Sequence, residues 1–192
     1  MKRRFNKLVI NSVPKKENHS YLLMFNHFSF WDGLLAIYLC LSLKEKDDDL
    51  RSIHFMSLKK QMEKKPWLRY IGSFSVDPRK KSIKESLDFA AEILSKPGNV
   101  LVLYPQGNLE SNHVRDIILQ DGINQIVPKI AGNCQLVWSS NLVEYFESLK
   151  PTVYFHMMDA GTNHDYDFET LSAKINVHHK EAIKKQFRFT DN

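Results

Sequence analysis

The sequence predicts an α/β fold: a single domain with a mixed, mostly parallel central sheet flanked by helices. Three observations carry that expectation. Two strand-length runs, Tyr21–Phe25 and Asn99–Tyr104, are almost wholly apolar, as strands covered on both faces are. Ser82–Ser95 places Ile83, Leu87, Ala90 and Leu94 on one face at helical spacing. Strand-like and helix-like segments then alternate along the chain, the order that builds parallel sheets.

Taken in order, Phe5–Ile10 reads as a short edge strand and Pro14–Asn18 as a charged turn. Tyr21–Phe25 is a buried strand that breaks at Asn26-His27. Asp32 marks the start of a helix over Gly33–Leu43, apolar almost all round, hence central or pressed on another apolar surface. Lys44–Leu50, with three consecutive aspartates, is a solvated connector. Ile53–Met56 is a strand, Lys59–Lys65 a basic segment, and Pro66-Trp67 opens a run to Ile71. Phe74 and Val76 alternate as a strand that Pro78 breaks. The Ser82–Ser95 helix stops at Pro97-Gly98, and the Asn99–Tyr104 strand ends at Pro105. Gly122–Ala131 is a second helix, ended by Gly132. Gln135–Ser139 and Thr152–Met157 are strands, with a short helix over Glu144–Leu149 between them. Leu171, Ile175, His179, Ile183 and Phe187 recur every four residues among Lys174, Lys180, Lys184, Lys185 and Arg188. That is a basic amphipathic helix over residues 168–188. No repeat or linker argues for a second domain, so residues 1–192 read as one.

Composition narrows the function classes. A hydrophobic fraction of 43% with 12 Phe in 192 residues excludes disorder and allows a substantial core. The balance of 27 Lys+Arg against 22 Asp+Glu gives +5 and suits an anionic partner: a phosphorylated substrate, a bilayer surface or nucleic acid. No aromatic-basic RNA motif or zinc-finger pattern accompanies the charge, so no nucleic acid is expected. Cys40 and Cys134 sit in apolar contexts outside any CxxC pair, as reduced buried thiols of a cytoplasmic protein do. The N-terminus lacks the apolar core of a signal peptide, and Gly33–Leu43 is too short to span a bilayer. His156, His164, His178 and His179 read as solvated or packing residues, and no metal is expected. A serine-hydrolase elbow, Gly-x-Ser-x-Gly, does not occur.

Three polar breaks follow strands: Asn26-His27 with Asp32, Asp77-Pro78-Arg79, and Tyr104-Pro105-Gln106-Gly107-Asn108. Ligands of α/β sheets bind beyond strand ends, where such loops converge. Asp32 can accept a hydrogen bond from one ring nitrogen of His27 and leave the other as a base. Arg79 can pair with a phosphate or carboxylate, and Gly107 admits close approach to the backbone. On residue type alone, Asp32 serves equally well as a helix cap, and Arg79 as one surface cation of Arg79-Lys80-Lys81.

These residues resemble the glycerolipid, or lysophospholipid, acyltransferase family. Its first motif, Asn-His-x4-Asp, is matched by Asn26-His27-Phe28-Ser29-Phe30-Trp31-Asp32. Its second, Gly-x-x-x-Val-Asp-Arg, is similar to Gly72–Arg79, and its third, Phe-Pro-Glu-Gly-Thr-Arg-Ser, to Tyr104–Ser111. Gly107 lies 80 positions after His27, and the resemblance spans residues 21–140. It implies the family's fold and an O-acyltransferase. His27, held by Asp32, would take the proton of a lipid-like hydroxyl, which attacks the thioester of acyl-CoA or acyl carrier protein. The thioester is a co-substrate, and no cofactor or covalent acyl-enzyme is implied. Substrate contacts are implied for Asn26, Ser29, Asp77, Arg79, Gln106, Gly107 and Asn108. The resemblance also implies lipid metabolism and a peripheral place on the cytoplasmic face of an anionic membrane. Gly33–Leu43, Trp67 with its neighbours, and the last helix are the candidate contacts, although the apolar stripe of the last helix reads first as docking on the sheet, with its basic face left for lipid.

The departures bear on the acceptor. Gln106 stands where the family has Glu, and Leu109 where it has Arg; Pro78 separates Asp77 from Arg79. The fourth motif, a Val-Pro strand, falls at Leu136-Val137-Trp138 with Trp138 in place of Pro, while Val127-Pro128 belongs to the preceding helix. Loss of the Arg argues against a lysophosphatidic acid acceptor and opens a glycolipid, aminolipid or pigment-linked hydroxyl. The altered acceptor motifs also admit an inactive, lipid-binding member of the same fold; the intact His27 and Asp32 oppose it.

Overall fold

The computed structural model describes residues 4–45 and 49–186. Its strands are β1 (Leu8–Asn11), β2 (Ser20–Phe25), β3 (Ser52–Leu58), β4 (Ser73–Val76), β5 (Asn99–Leu103), β6 (Cys134–Glu144) and β7 (Thr152–Thr162). They form one sheet in the order β1-β7-β6-β2-β5-β3-β4. Every pairing is parallel except β6 with β7, so the sheet is mixed and mostly parallel, as expected. The helices are α1 (Asp32–Lys44), α2 (Lys59–Lys64), α3 (Ile83–Leu94), α4 (Gly122–Ile126) and α5 (Phe168–Lys184).

The continuous apolar run of β2 has a simple cause. Successive strand side chains point to opposite faces, and both faces are covered. Leu23 and Phe25 pack with Leu35, Ala36 and Leu39 of α1. Leu22 and Met24 pack with the layer of α3, α4 and α5, through Leu87, Leu94, Ile123, Leu171 and Ile175. The all-round apolar α1 is pressed on the sheet by one face, with Leu35, Ala36, Leu39 and Cys40 buried, while Leu41 on the other face is exposed. The apolar stripe of α5 is likewise occupied, with Leu171, Ile175, His179 and Ala182 buried and its contacts made to β6 and β7.

Several elements differ from the sequence expectation. The edge strand is Leu8–Asn11, and Phe5 is instead a core residue, edge-on to Trp31 at 5.6 Å. The expected helix Gly122–Ala131 ends at Ile126 and tightens into a 3-10 turn over Val127–Lys129. Pro128 has no N–H with which to continue the α-helical ladder. No helix spans Glu144–Leu149: Glu144 closes β6, and the following residues turn the chain into antiparallel β7. Both hairpin strands are 11 residues long, well beyond the apolar stretches that suggest them. Phe187 and Arg188, expected at the end of the last helix, lie outside the described residues, as do Asp47 and Asp48 of the connector.

Because β2, β5, β3 and β4 run parallel, the turns that follow them emerge on one edge of the sheet. That edge carries the three polar breaks.

Candidate active site

His27 stands on the turn between β2 and α1. Its Nδ1 lies 2.7 Å from Oδ2 of Asp32, the first residue of α1. The Asp32 carboxylate is fully buried. It also accepts from the backbone N–H of Phe28 (2.7 Å) and Ser29 (2.8 Å) and from the Ser29 hydroxyl (2.9 Å). Asp32 therefore reaches back over the turn that precedes its helix, and does not cap the amides inside it. Four donors converge on one acceptor-only group, which makes Nδ1–H the donor to it. Nε2 is left without a partner among the described residues, in a side chain that remains 19% exposed.

The loop after β5 clamps the same turn. Gln106 is buried, and its Oε1 accepts from the backbone N–H of His27 at 2.8 Å. The backbone N–H of Glu110 donates to the His27 carbonyl at 2.9 Å. Between them Gly107 sits at φ +72°, a conformation that costs other residues energy. A Cβ there would stand 3.1 Å from Cγ of Gln120. The amide oxygen of Gln106 thus fills an acceptor place that a carboxylate oxygen also fits. This part of the third motif holds His27 in position.

A cleft of about 220 Å³ opens from His27 between α1 and the crossover from β3 to β4. Its walls are apolar, with Leu34, Ile37, Phe55, Met56, Leu68 and Ile71. Phe30, Trp67 and Leu109 line it while remaining partly exposed at its mouth, where Lys65 Nζ stands 4.0 Å from the Phe30 ring centroid. Tyr104 lines the cleft beside His27, its ring 4.6 Å from the imidazole. The Tyr104 hydroxyl is buried without a hydrogen-bond partner among the described residues, as is the Ser73 hydroxyl, and both residues line the cleft. Burial, followed by the charges of Asp32 and Cys40, pushes the Tyr104 phenol well above its ordinary value, so it remains a neutral donor.

The expected site residues divide into groups. His27 and Ser29 line the cleft; Asp32 and Gln106 lie behind His27 and fix it. Asn26 faces away: its amide bonds to the backbone N–H and carbonyl of Asn141 on β6 at 2.7 and 3.0 Å. It extends the β2–β6 pairing by one side chain. Asp77 and Arg79 form a turn after β4, where Asp77 Oδ1 accepts from the Arg79 N–H at 3.2 Å. They are not among the residues lining the cleft, and three strand spacings, about 14 Å, separate β4 from β2. Asn108 and Gly107 are exposed and also outside the lining, whereas Leu109 is part of it. Tyr104, Lys65 and the cleft walls were not expected as site residues. Tyr104 carried a signal: it stands where the third motif has Phe.

A His–Asp pair on the strand edge of an α/β sheet, next to an apolar cleft, is an arrangement that can supply a base beside a ligand with an apolar body. The chain belongs to the acyltransferase family: the family model described as Acyltransferase matches residues 7–154. The match bears out the resemblance to glycerolipid acyltransferases and covers the strands and loops that build the cleft. No curated protein matches the chain.

Proposed function

We propose that this acyltransferase moves a fatty acyl group from a thioester, acyl-CoA or acyl carrier protein, to a hydroxyl of a lipid-like acceptor. The carrying observation is the 2.7 Å contact of His27 Nδ1 with the wholly buried Asp32 carboxylate. It supports a fixed tautomer with Nε2 as the base. Nε2 takes the acceptor's hydroxyl proton as the oxygen attacks the thioester carbonyl. The tetrahedral intermediate then collapses, and the thiol leaves with the proton that Nε2 returns. General base catalysis of this kind contributes about 10²–10⁴-fold. Ser29 and Gln106 are positioning residues in this reading, and no metal or cofactor takes part.

The apolar walls suit an aliphatic chain. At about 220 Å³ the cleft is below the usual range for sites that enclose a whole ligand. It suits one apolar segment of a substrate whose remainder lies outside. Lys65 is the one lysine or arginine lining it among the described residues, which favours an acceptor without a phosphate beside the reacting hydroxyl. Two free buried thiols, Cys40 and Cys134, fit a reducing cytoplasmic setting.

The test is thiol release from long-chain acyl-CoA, and from acyl carrier protein, with and without a lipid extract. Extract-dependent release that disappears in His27→Ala supports the reading, and mass spectrometry of the product names the acceptor. Release that ignores the extract identifies a thioesterase. Silence with both donors in the folded protein rejects catalysis in favour of lipid binding alone.

A further inference from the structure

The sequence offers three surfaces for lipid contact, and the fold uses two of them internally. Leu35, Ala36, Leu39 and Cys40 of α1 and the apolar stripe of α5 are packed on the sheet, which leaves Leu41 as the one large apolar side chain of α1 that is exposed. The third, α2 with the 3-10 turn Pro66–Ile71, leaves large apolar groups in solvent. Tyr70 is 91% exposed and Trp67 44%; across the cleft mouth Phe30 is 63% and Leu109 58% exposed. Phe30, Trp67 and Leu109 share the lining of one cleft, so they form one patch. Contiguous exposed apolar groups of this kind mark interaction sites.

Charge identifies the partner. Residues 59–71 carry Lys59, Lys60, Lys64, Lys65 and Arg69 against the single acid Glu63. None of these five cations forms an ion pair among the described residues, unlike Lys96, Lys129, Lys180 and Lys184 elsewhere on the surface. Cations without ion pairs on the same short segment as exposed Trp67 and Tyr70, with Lys65 over the Phe30 ring, match the layered chemistry of an anionic bilayer, with headgroup phosphates outside and acyl chains within. A purely acidic protein partner would leave Phe30, Trp67 and Leu109 without apolar cover.

We propose that this face, Lys59–Ile71 with Phe30 and Leu109, docks flat on an anionic lipid bilayer and points the mouth of the His27 cleft into it. Trp67 and Phe30 enter the headgroup–acyl boundary while the lysines pair with phosphates. A lipid segment then passes from bilayer to cleft without crossing water. The consequence for substrate delivery rests on the acyl-transfer reading; the docking itself does not.

The experiment is flotation of the full chain with vesicles of phosphatidylglycerol and phosphatidylcholine, and of phosphatidylcholine alone. The chain floats with the anionic vesicles and much less with the neutral ones. Lys59→Gln, Lys60→Gln, Lys64→Gln and Arg69→Gln together, all at exposed positions outside the cleft, cut partitioning by roughly fivefold per charge. Lys174→Gln, Lys180→Gln, Lys184→Gln and Lys185→Gln together, along and just after α5, change it far less. Brominated lipids quench the emission of Trp67, and the Trp67→Phe variant loses that quenching. No flotation of the folded chain overturns the proposal, as does binding to acyl carrier protein with none to vesicles. Equal loss from both sets of charges, or quenching that survives Trp67→Phe, also overturns it. Vesicle binding without thiol release would uphold the docking and reject the catalytic reading.

Discussion

At the scale of single residues, the site is governed by where hydrogen bonds end. Asp32 is wholly buried and receives four donors from residues 27–29. Asp32→Asn keeps the volume but points an NH₂ at groups that are themselves donors. We expect the variant to lose about 2–3 kcal/mol of stability in urea unfolding. Thiol release should fall at least ~100-fold, because His27 loses its fixed tautomer. A variant with wild-type stability would show that the four donors find other partners. Tyr104 presents the opposite case. Its hydroxyl is sealed from solvent without a partner, so removing it removes a cost. Tyr104→Phe should keep or raise the stability of the ligand-free protein, by up to about 1 kcal/mol. A clear fall in its thermal midpoint would reveal a hydrogen bond that the geometry lacks.

At the scale of elements, α5 meets β6, β7 and the loop at Val114 through buried polar groups. His179 of α5 bonds the Ser140 hydroxyl at 3.0 Å and the Val114 carbonyl at 2.9 Å. His178 bonds the carbonyl of His156 on β7 at 2.8 Å. Burial, then the charges of Lys185 and His178, lowers the His156 imidazole from 6.5 to about 4. The folded value lies below the unfolded one, so the unfolded chain binds more protons between those two values. This contribution is complete above about pH 6.5 and is lost as the pH falls towards about 4. It amounts to at most about 3 kcal/mol. Stability measured from pH 7 to pH 4 should decline, and His156→Gln should flatten the decline. An unchanged slope would place the acid sensitivity elsewhere.

For the whole molecule, the two apolar cores on either side of the sheet each contain one cysteine, Cys134 from β6 and Cys40 from α1. Burial pushes the Cys40 thiol to about 12 and the Cys134 thiol, less strongly, to about 11. A thiol-specific reagent at pH 8 should therefore label neither in the folded protein and both in urea. Labelling rates would report the opening of each layer. Rapid reaction of Cys40 without denaturant would mean that α1 lifts from the sheet under native conditions.

The alternation of apolar strands and helical periods was enough for the α/β class, and Asn26–Asp32 was enough for the contact of His27 with Asp32. Both are local: a strand covered on two faces must be apolar throughout, and residues 27 and 32 lie within reach across one turn. Chain distance hid the rest. The length of β6 and β7 is set by their pairing with each other and by Asn26 and His179, so Ser139, Ser140 and Asn141 could be buried where polarity suggested an end. Gln106 and Asn26 carry motif positions, yet their amides bond to backbone 79 and 115 residues away. Asp77 and Arg79 follow a strand end like the others, but strand order sets them three positions from His27. The sequence by itself determined the chemistry that local chain geometry can assemble. The tertiary structure alone decided which apolar faces were covered and which were left around the cleft, because burial depends on what packs opposite each face.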